Sequence, residues 1–208
     1  MIRRSFMNIT WYGHACFLLD TACGSAVFDP YDPEMLPGLH LEKIFADAVF
    51  CSHSHGDHNY TDAVTLTGKQ PSFAVQELAS WHDDRQGALR GENRITILEA
   101  EGLKVVHMGD VGHLLSEELA AQIGKPDILM IPVGGYYTVD AAAAKAICCQ
   151  LSPRVILPMH YRLGKRGLQN IAPVDEFIRL FPKEEVTFLP SSTAAVEELK
   201  TKVAVFQY

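Results

Sequence analysis

The 208-residue chain lacks any apolar run approaching the roughly 18 residues that a membrane helix needs, so no membrane span is expected. A secretory leader is not expected either. Met1 to Arg4 carries two positive charges, but the apolar stretch that follows is broken by Asn8, Thr10, Gly13 and His14. The resulting expectation is a cytoplasmic protein. Cysteine is scarce: Cys16, Cys23, Cys51, Cys148 and Cys149 are odd in number and form no CxxC pair, which excludes a disulfide framework and argues against a thiolate zinc site. Basic charge is in deficit. With 18 Lys plus Arg against 25 Asp plus Glu, the formal charge of −7 removes the long-range attraction that most nucleic-acid binders use, and no nucleic-acid partner is expected. Low-complexity tracts, linkers and short-period repeats are absent as well.

What remains is the composition of a globular protein, 48% hydrophobic and 21% charged, read as one domain over residues 1–208. Asn8–Tyr12, Cys16–Asp20, Ser25–Asp29 and Ala48–Ser52 read as strands between Gly, Pro and Asp turn signals. Asn93–Ala100 and Leu103–Met108 form a predicted hairpin around Glu101-Gly102. Helices are predicted over Ser116–Ile123, Val139–Leu151 and Pro173–Phe181, with buried strands at Asp127–Pro132 and Arg154–Pro158 between them. The order implies an α/β protein of sheets covered by helices.

The chemistry concentrates where an apolar strand, Val49-Phe50-Cys51, runs into His53-Ser54-His55-Gly56-Asp57-His58. A shuffled chain of this composition would produce HxHxDH about one time in a thousand. In extended chain, residues two apart lie roughly 7 Å apart on one face, so His53 and His55 can converge on one ion. Gly56 can then turn the backbone so that Asp57 and His58 face a neighbouring position. One loop cannot complete two sites. Partners must come from other segments, just after strands, where side chains can meet at one sheet edge, and three positions qualify: His82, Asp110 and His160. A carboxylate at Asp110 can bridge two cations, and His160 is the natural last nitrogen ligand.

These motifs, together with Trp11-Tyr12-Gly13-His14-Ala15, Phe28-Asp29-Pro30-Tyr31, His107-Met108-Gly109-Asp110, Ile131-Pro132-Val133-Gly134-Gly135 and Pro158-Met159-His160-Tyr161, resemble the metallo-β-lactamase superfamily. Within it the likeness is to small metal-dependent hydrolases of the L-ascorbate-6-phosphate lactonase kind. The resemblance implies an αββα sandwich, two facing β-sheets between outer helices, with metals at one edge. Carried over position by position, it puts His53, His55 and His82 on a first metal, Asp57, His58 and His160 on a second, and Asp110 between them. His82 lacks a clear strand before it in the sequence, which leaves His107 and His113 as rivals.

Asp29 would brace the histidine loop, although Asp before Pro is also an ordinary turn residue. His14 could reach the edge of the site, with a structural hydrogen bond as its expected role. Arg90 could offer a guanidinium to an anionic small-molecule substrate, and Tyr136, Tyr137, Tyr161 and Arg162 are candidate substrate contacts by position. Imidazoles and carboxylates suit Zn and also accept Mn, Fe or Ni. A dinuclear centre would supply hydroxide for attack on a small ester, lactone or phosphate ester, with Asp57 as the catalytic carboxylate. The alternatives are a phosphodiesterase or nuclease of the same fold, and a non-catalytic metal-binding sensor module.

Overall fold

A computed structural model describes residues 7–208, and Met1 to Arg4 lies outside the described residues. In chain order, β1 (Asn8–Trp11), β2 (Phe17–Thr21), β3 (Gly24–Phe28), β4 (Ile44–Ala46), β5 (Ala48–Phe50), β6 (Val64–Leu66), β7 (Ala74–Trp81), β8 (Glu92–Ala100) and β9 (Leu103–His107) precede α1 (Glu117–Ile123). Then come β10 (Ile128–Pro132), α2 (Ala141–Leu151), β11 (Val155–Met159), α3 (Asp175–Ile178), β12 (Val186–Phe188), β13 (Thr193–Ala195) and β14 (Val203–Val205).

The strands build an α/β sandwich. One sheet runs β13-β1-β2-β3-β5, the other β12-β14-β11-β10-β9-β8-β7, and β4 pairs with β6 alone. The apolar runs Ile128–Pro132 and Val155–Met159 are buried at every residue because they pair in parallel in the middle of the larger sheet, covered on both faces. The crossovers through α1 and α2 put those helices on one face of this parallel region. Asp140 caps α2 by accepting from Ala143 N at 2.8 Å, and Ser116 caps α1 by accepting from Leu119 N at 3.1 Å.

Alternation along β2 and β3 divides the smaller sheet. Phe17, Leu19, Ala26 and Phe28 join the main core, while Val27 joins Tyr31, Leu36, Leu39 and Ile44 in a second cluster on the opposite face. The segment 31–46 and the β4–β6 pair therefore cover that face. Between the sheets, the His107 ring stacks on Phe28 at 5.2 Å and meets Phe17 edge-on at 6.1 Å. The β8–β9 hairpin closes through Glu101 at φ +54° and Gly102 at φ +79°, both left-handed as a two-residue turn of this kind requires.

Two readings of the sequence need correction. The helix expected over Pro173–Phe181 is one turn, Asp175–Ile178; Leu180 N and Phe181 N then bond three residues back, to Phe177 O and Ile178 O, before Pro182 ends the run. His82 does follow a strand. β7 pairs with β8 from Ala74–Glu99 to Trp81–Glu92 and delivers His82 at its end.

Strand direction places the site. β1, β3 and β5 run the same way in the smaller sheet, as do β7, β9, β10 and β11 in the larger. The residues after them, His14, Asp29, His53 to His58, His82, Asp110 and His160, gather at one edge of the sandwich. Gly109 is part of this placement. Its φ is +55°, and a Cβ there would collide with Asn93 Oδ1 and Ser52 Cβ. Asn93 Oδ1 is the atom that accepts from Asp110 N at 2.8 Å. Gly109→Ala should cost about 2 kcal/mol or more in denaturant unfolding of the metal-free protein, and a change under ~0.5 kcal/mol would show the turn to be adaptable.

Candidate metal centre

Six histidines and two aspartates crowd this edge, and their donor atoms form overlapping groups. Within 4.8 Å of one another lie the donors of His53, His55 and His82; those of His14, Asp57, His58 and His160; and those of His53, His58 and Asp110. Asp110 is at the centre. Its Oδ2 is 3.2 Å from His58 Nε2, 3.3 Å from His82 Nε2 and 3.1 Å from His160 Nε2. Asp57 Oδ2 is 3.7 Å from His58 Nε2 and 3.3 Å from His14 Nε2. Two donors bound at about 2.0–2.1 Å to one tetrahedral zinc lie about 3.3 Å apart, the spacing seen here.

Whether these residues suit a cation is answered by hydrogen bonding. Among the described residues, the buried side-chain nitrogens and oxygens without a hydrogen-bond partner are His14 Nε2, His53 Nε2, His58 Nε2, His82 Nδ1, Asp110 Oδ1 and both His160 nitrogens. All belong to this cluster. An unpartnered buried polar atom costs roughly 1–3 kcal/mol, so leaving several together is tolerable only where something else completes them. Lone pairs converging without donors fit a metal ion.

Asp29 sets the orientation of two imidazoles. It lies just past β3 at φ +44° and is 1% exposed, so it is no ordinary surface turn residue. Its Oδ2 accepts from His58 Nδ1 at 2.8 Å and from Ser52 Oγ at 2.7 Å, and its Oδ1 accepts from Ser52 N at 2.7 Å. With its proton given to Asp29, the Ser52 hydroxyl accepts from His53 Nδ1 at 2.9 Å. Both rings thus carry hydrogen on Nδ1 and turn the Nε2 lone pair into the cluster. Burial pushes the Asp29 carboxyl up, yet the surrounding His107 and His58 imidazoles outweigh it and hold the group below its usual value.

The two rival histidines are occupied elsewhere. His107 Nε2 donates to Ala15 O at 2.9 Å and its Nδ1 accepts from Gly109 N at 3.2 Å. His113 Nε2 accepts from Trp81 N at 3.2 Å, and its Nδ1 donates to Leu114 O at 2.8 Å. Cys51 lies beside the site, but burial pushes its thiol up to about 12, leaving it protonated and a poor metal ligand.

Three contributors escape sequence reading: Ser52, Asn93 and Asp83. Asn93 Nδ2 donates to Met108 O at 2.9 Å while its Oδ1 holds Asp110 N, fixing the Gly109-Asp110 turn from the neighbouring strand. The Asp83 carboxylate accepts from the backbone N–H groups of Arg85, Gly87, Leu89 and Arg90 at 2.8–3.0 Å. That arrangement shapes the loop carrying Leu89 and Arg90 to the mouth. The only signal for it is Asp83 ahead of Gly87 and Gly91.

The mouth is a recess of about 370 Å³ lined by Met35, His55, Asp57, Leu89, Arg90, Tyr137 and Leu168. Arg90 Nη2 donates to Tyr136 O at 2.9 Å, and its guanidinium lies 5.7 Å over the Tyr137 ring. Tyr136 is 66% exposed. Tyr161 and Arg162 are not brought to this mouth: the Tyr161 ring is buried against Trp11 at 5.5 Å, and both residues line a separate recess with Phe188 and Tyr208.

Two outcomes follow for the site as built. Asp29→Asn should weaken metal binding about 10–100-fold by equilibrium dialysis, because the amide cannot accept from both His58 Nδ1 and Ser52 as the carboxylate does; unchanged affinity would remove Asp29 from ring orientation. In the metal-free protein, burial lowers His14 to about 4 and His53 to about 3, with His160 and His58 adding to the respective shifts. The unfolded chain takes up those protons near pH 6.5, so it binds more protons than the fold between pH 6.5 and 4, and stability falls as pH is lowered through that window. At about 2–4 °C per kcal/mol for a chain of this size, the melting temperature of chelated protein should drop by roughly 10 °C or more from pH 6.5 to pH 4, and a flat or rising profile would contradict the assignment.

Residues 8–160 match the Beta-lactamase superfamily domain family. A solved Thermotoga maritima protein, described as a candidate Zn-dependent hydrolase of the metallo-β-lactamase superfamily, superposes with a TM-score of 0.75 at 32% identity, covering 96% of this chain and 98% of its own. A metal-dependent hydrolase of Archaeoglobus fulgidus is 29% identical over 198 residues, covering 74% of this chain and 83% of the relative. Another, from Methanosphaerula palustris, is 25% identical over 218 residues, covering 89% and 97%. The order of the motifs, the sandwich and the histidine and aspartate cluster at its edge have one common explanation: the chain belongs to the metallo-β-lactamase superfamily, among relatives of its metal-dependent hydrolases.

Proposed function

We propose that this metal-dependent hydrolase uses two divalent ions to cleave a small ester, lactone or phosphate ester. His53, His55 and His82 hold one ion, Asp57, His58 and His160 the other, and Asp110 is shared. The carrying observation is the position of Asp110 Oδ2, 3.3 Å from an imidazole of the first group and 3.1–3.2 Å from two of the second. Zinc is the favoured metal, and Mn, Fe or Ni suit the same donors. Bound together, such ions lower the pKa of water to near neutrality and polarise the bond under attack.

Asp57 is the chain's own proton-handling group. It reaches the mouth recess while its carboxylate faces His58 and His14, whose influence outweighs the upward push of burial and keeps it ionised. An ionised carboxylate here can orient an attacking water and accept its proton. Arg90 uses one N–H on Tyr136 O and has further donors for an anionic substrate group, while Met35, Leu89 and Leu168 give the recess an apolar wall that excludes water. A recess of about 370 Å³ admits a small molecule. The same reading places the enzyme in the cytoplasm, where its five free cysteines stay reduced.

The reading is tested by metal analysis of protein purified without added metal, joined to a turnover screen of lactones, thioesters, phosphomonoesters and phosphodiesters. Asp57→Asn should lower turnover on whichever substrate emerges by about 10²-fold or more while leaving the melting temperature of the metal-free protein near that of the parent. Near-parental turnover would remove Asp57 from the mechanism. A collapse in melting temperature would make its role structural.

A further inference from the structure

Beyond the shared set of seven ligands, one imidazole is oriented as they are. We propose that His14 is a direct ligand of the second ion, which is then held by His14, Asp57, His58 and His160 together with the shared Asp110. The inference rests on the two-ion reading above and adds to it a residue for which the sequence implies only a structural hydrogen bond.

The His14 side chain is 2% exposed, and its Nε2 has no hydrogen-bond partner. That atom lies within 4.8 Å of the donor atoms of Asp57, His58 and His160. The ring stands 4.1 Å from the His160 ring and 5.0 Å from the His58 ring, centroid to centroid. Three imidazoles pressed together with unpartnered nitrogens gain little from one another, whereas one cation would satisfy them all. A hydrogen bond to Asp57 is the competing explanation. At 3.3 Å, however, the Nε2 to Oδ2 distance exceeds the 2.7–2.9 Å of a charge-assisted bond and matches the separation of two donors on one tetrahedral ion.

The backbone supports the same role. His14 has φ +52°, a left-handed conformation that residues other than glycine rarely adopt. It is held there from both sides, because His14 O accepts from Trp11 Nε1 and from His160 N, each at 3.1 Å. His160 itself has φ +52°. Two strained histidines, one after β1 and one after β11, are thus tied through one peptide carbonyl with their rings on the same spot.

The consequence is an asymmetric centre. With the shared Asp110 counted, His53, His55 and His82 give the first ion four ligands, His55 being exposed at the mouth, whereas the second ion has five and is largely buried. A buried ion with one more protein ligand is held more firmly than one whose site opens at the mouth. The ion at His14 should therefore be the last removed by a chelator.

The test is nuclear magnetic resonance of full-length protein carrying ¹⁵N-histidine, stripped of metal and loaded with ¹¹³Cd. His14 Nε2 should show splitting by ¹¹³Cd, as His58 and His160 should. Splitting of His58 and His160 with an unsplit His14 would overturn the inference and leave the two-ion reading intact. If no imidazole were split, the two-ion reading would fail and His14 with it. His14→Asn assigns the resonance, because asparagine tolerates the left-handed backbone and lacks the imidazole. Its binding isotherm should show one ion weakened about 100-fold and the other unchanged, and two parental affinities would overturn the proposal. If that variant does not fold, the parent spectrum, assigned through the remaining histidine substitutions, decides.

Discussion

A carboxylate oxygen with three imidazole nitrogens 3.1–3.3 Å away, most of them without a hydrogen bond, is the constraint on which the rest depends. Lone pairs repel lone pairs, and proton sharing satisfies only some of them. Metal-free, the cluster costs stability. Such a cost is tolerated where a ligand removes it, which ties the fold of this edge to the binding of cations.

Everything around the cluster fixes it in place. Asp29 and Ser52 set the His53 and His58 rings from β3 and the end of β5, Asn93 grips the Asp110 backbone from β8, and Gly109 leaves the room that lets them meet. These contacts cross from the smaller sheet to the larger. Packing between the sheets, with His107 stacked on Phe28, therefore also determines the distance between the two sets of donors. Mutations remote from any ligand can act on metal binding by this route.

HxHxDH was legible because its residue types are rare together and it ends an apolar strand. The buried strands β10 and β11 and the β8–β9 hairpin were legible for the same kind of reason, continuous burial and a turn with left-handed requirements. β7 was not, because it is an edge strand: Ala74 to Glu77 are exposed, only Leu78 and Ser80 are buried, and no alternation of apolar residues announces it. That hidden strand is what made His82 hard to place. β12, β13 and β14 are three residues each, too short for a periodic signal. Asp83 and Asn93 act through backbone groups, and nothing in their residue types distinguishes them from surface polar residues.

The claim at the centre of the account is that one edge of the sandwich holds two ions with Asp110 between them. Anomalous diffraction from crystals of metal-loaded protein, recorded at the absorption edge of the bound metal, addresses it directly. The account predicts two peaks roughly 3.5–4 Å apart, one among His53, His55 and His82 and one among Asp57, His58 and His160, with Asp110 in reach of both. A single peak at full occupancy, or two peaks that leave Asp110 unliganded, would contradict it.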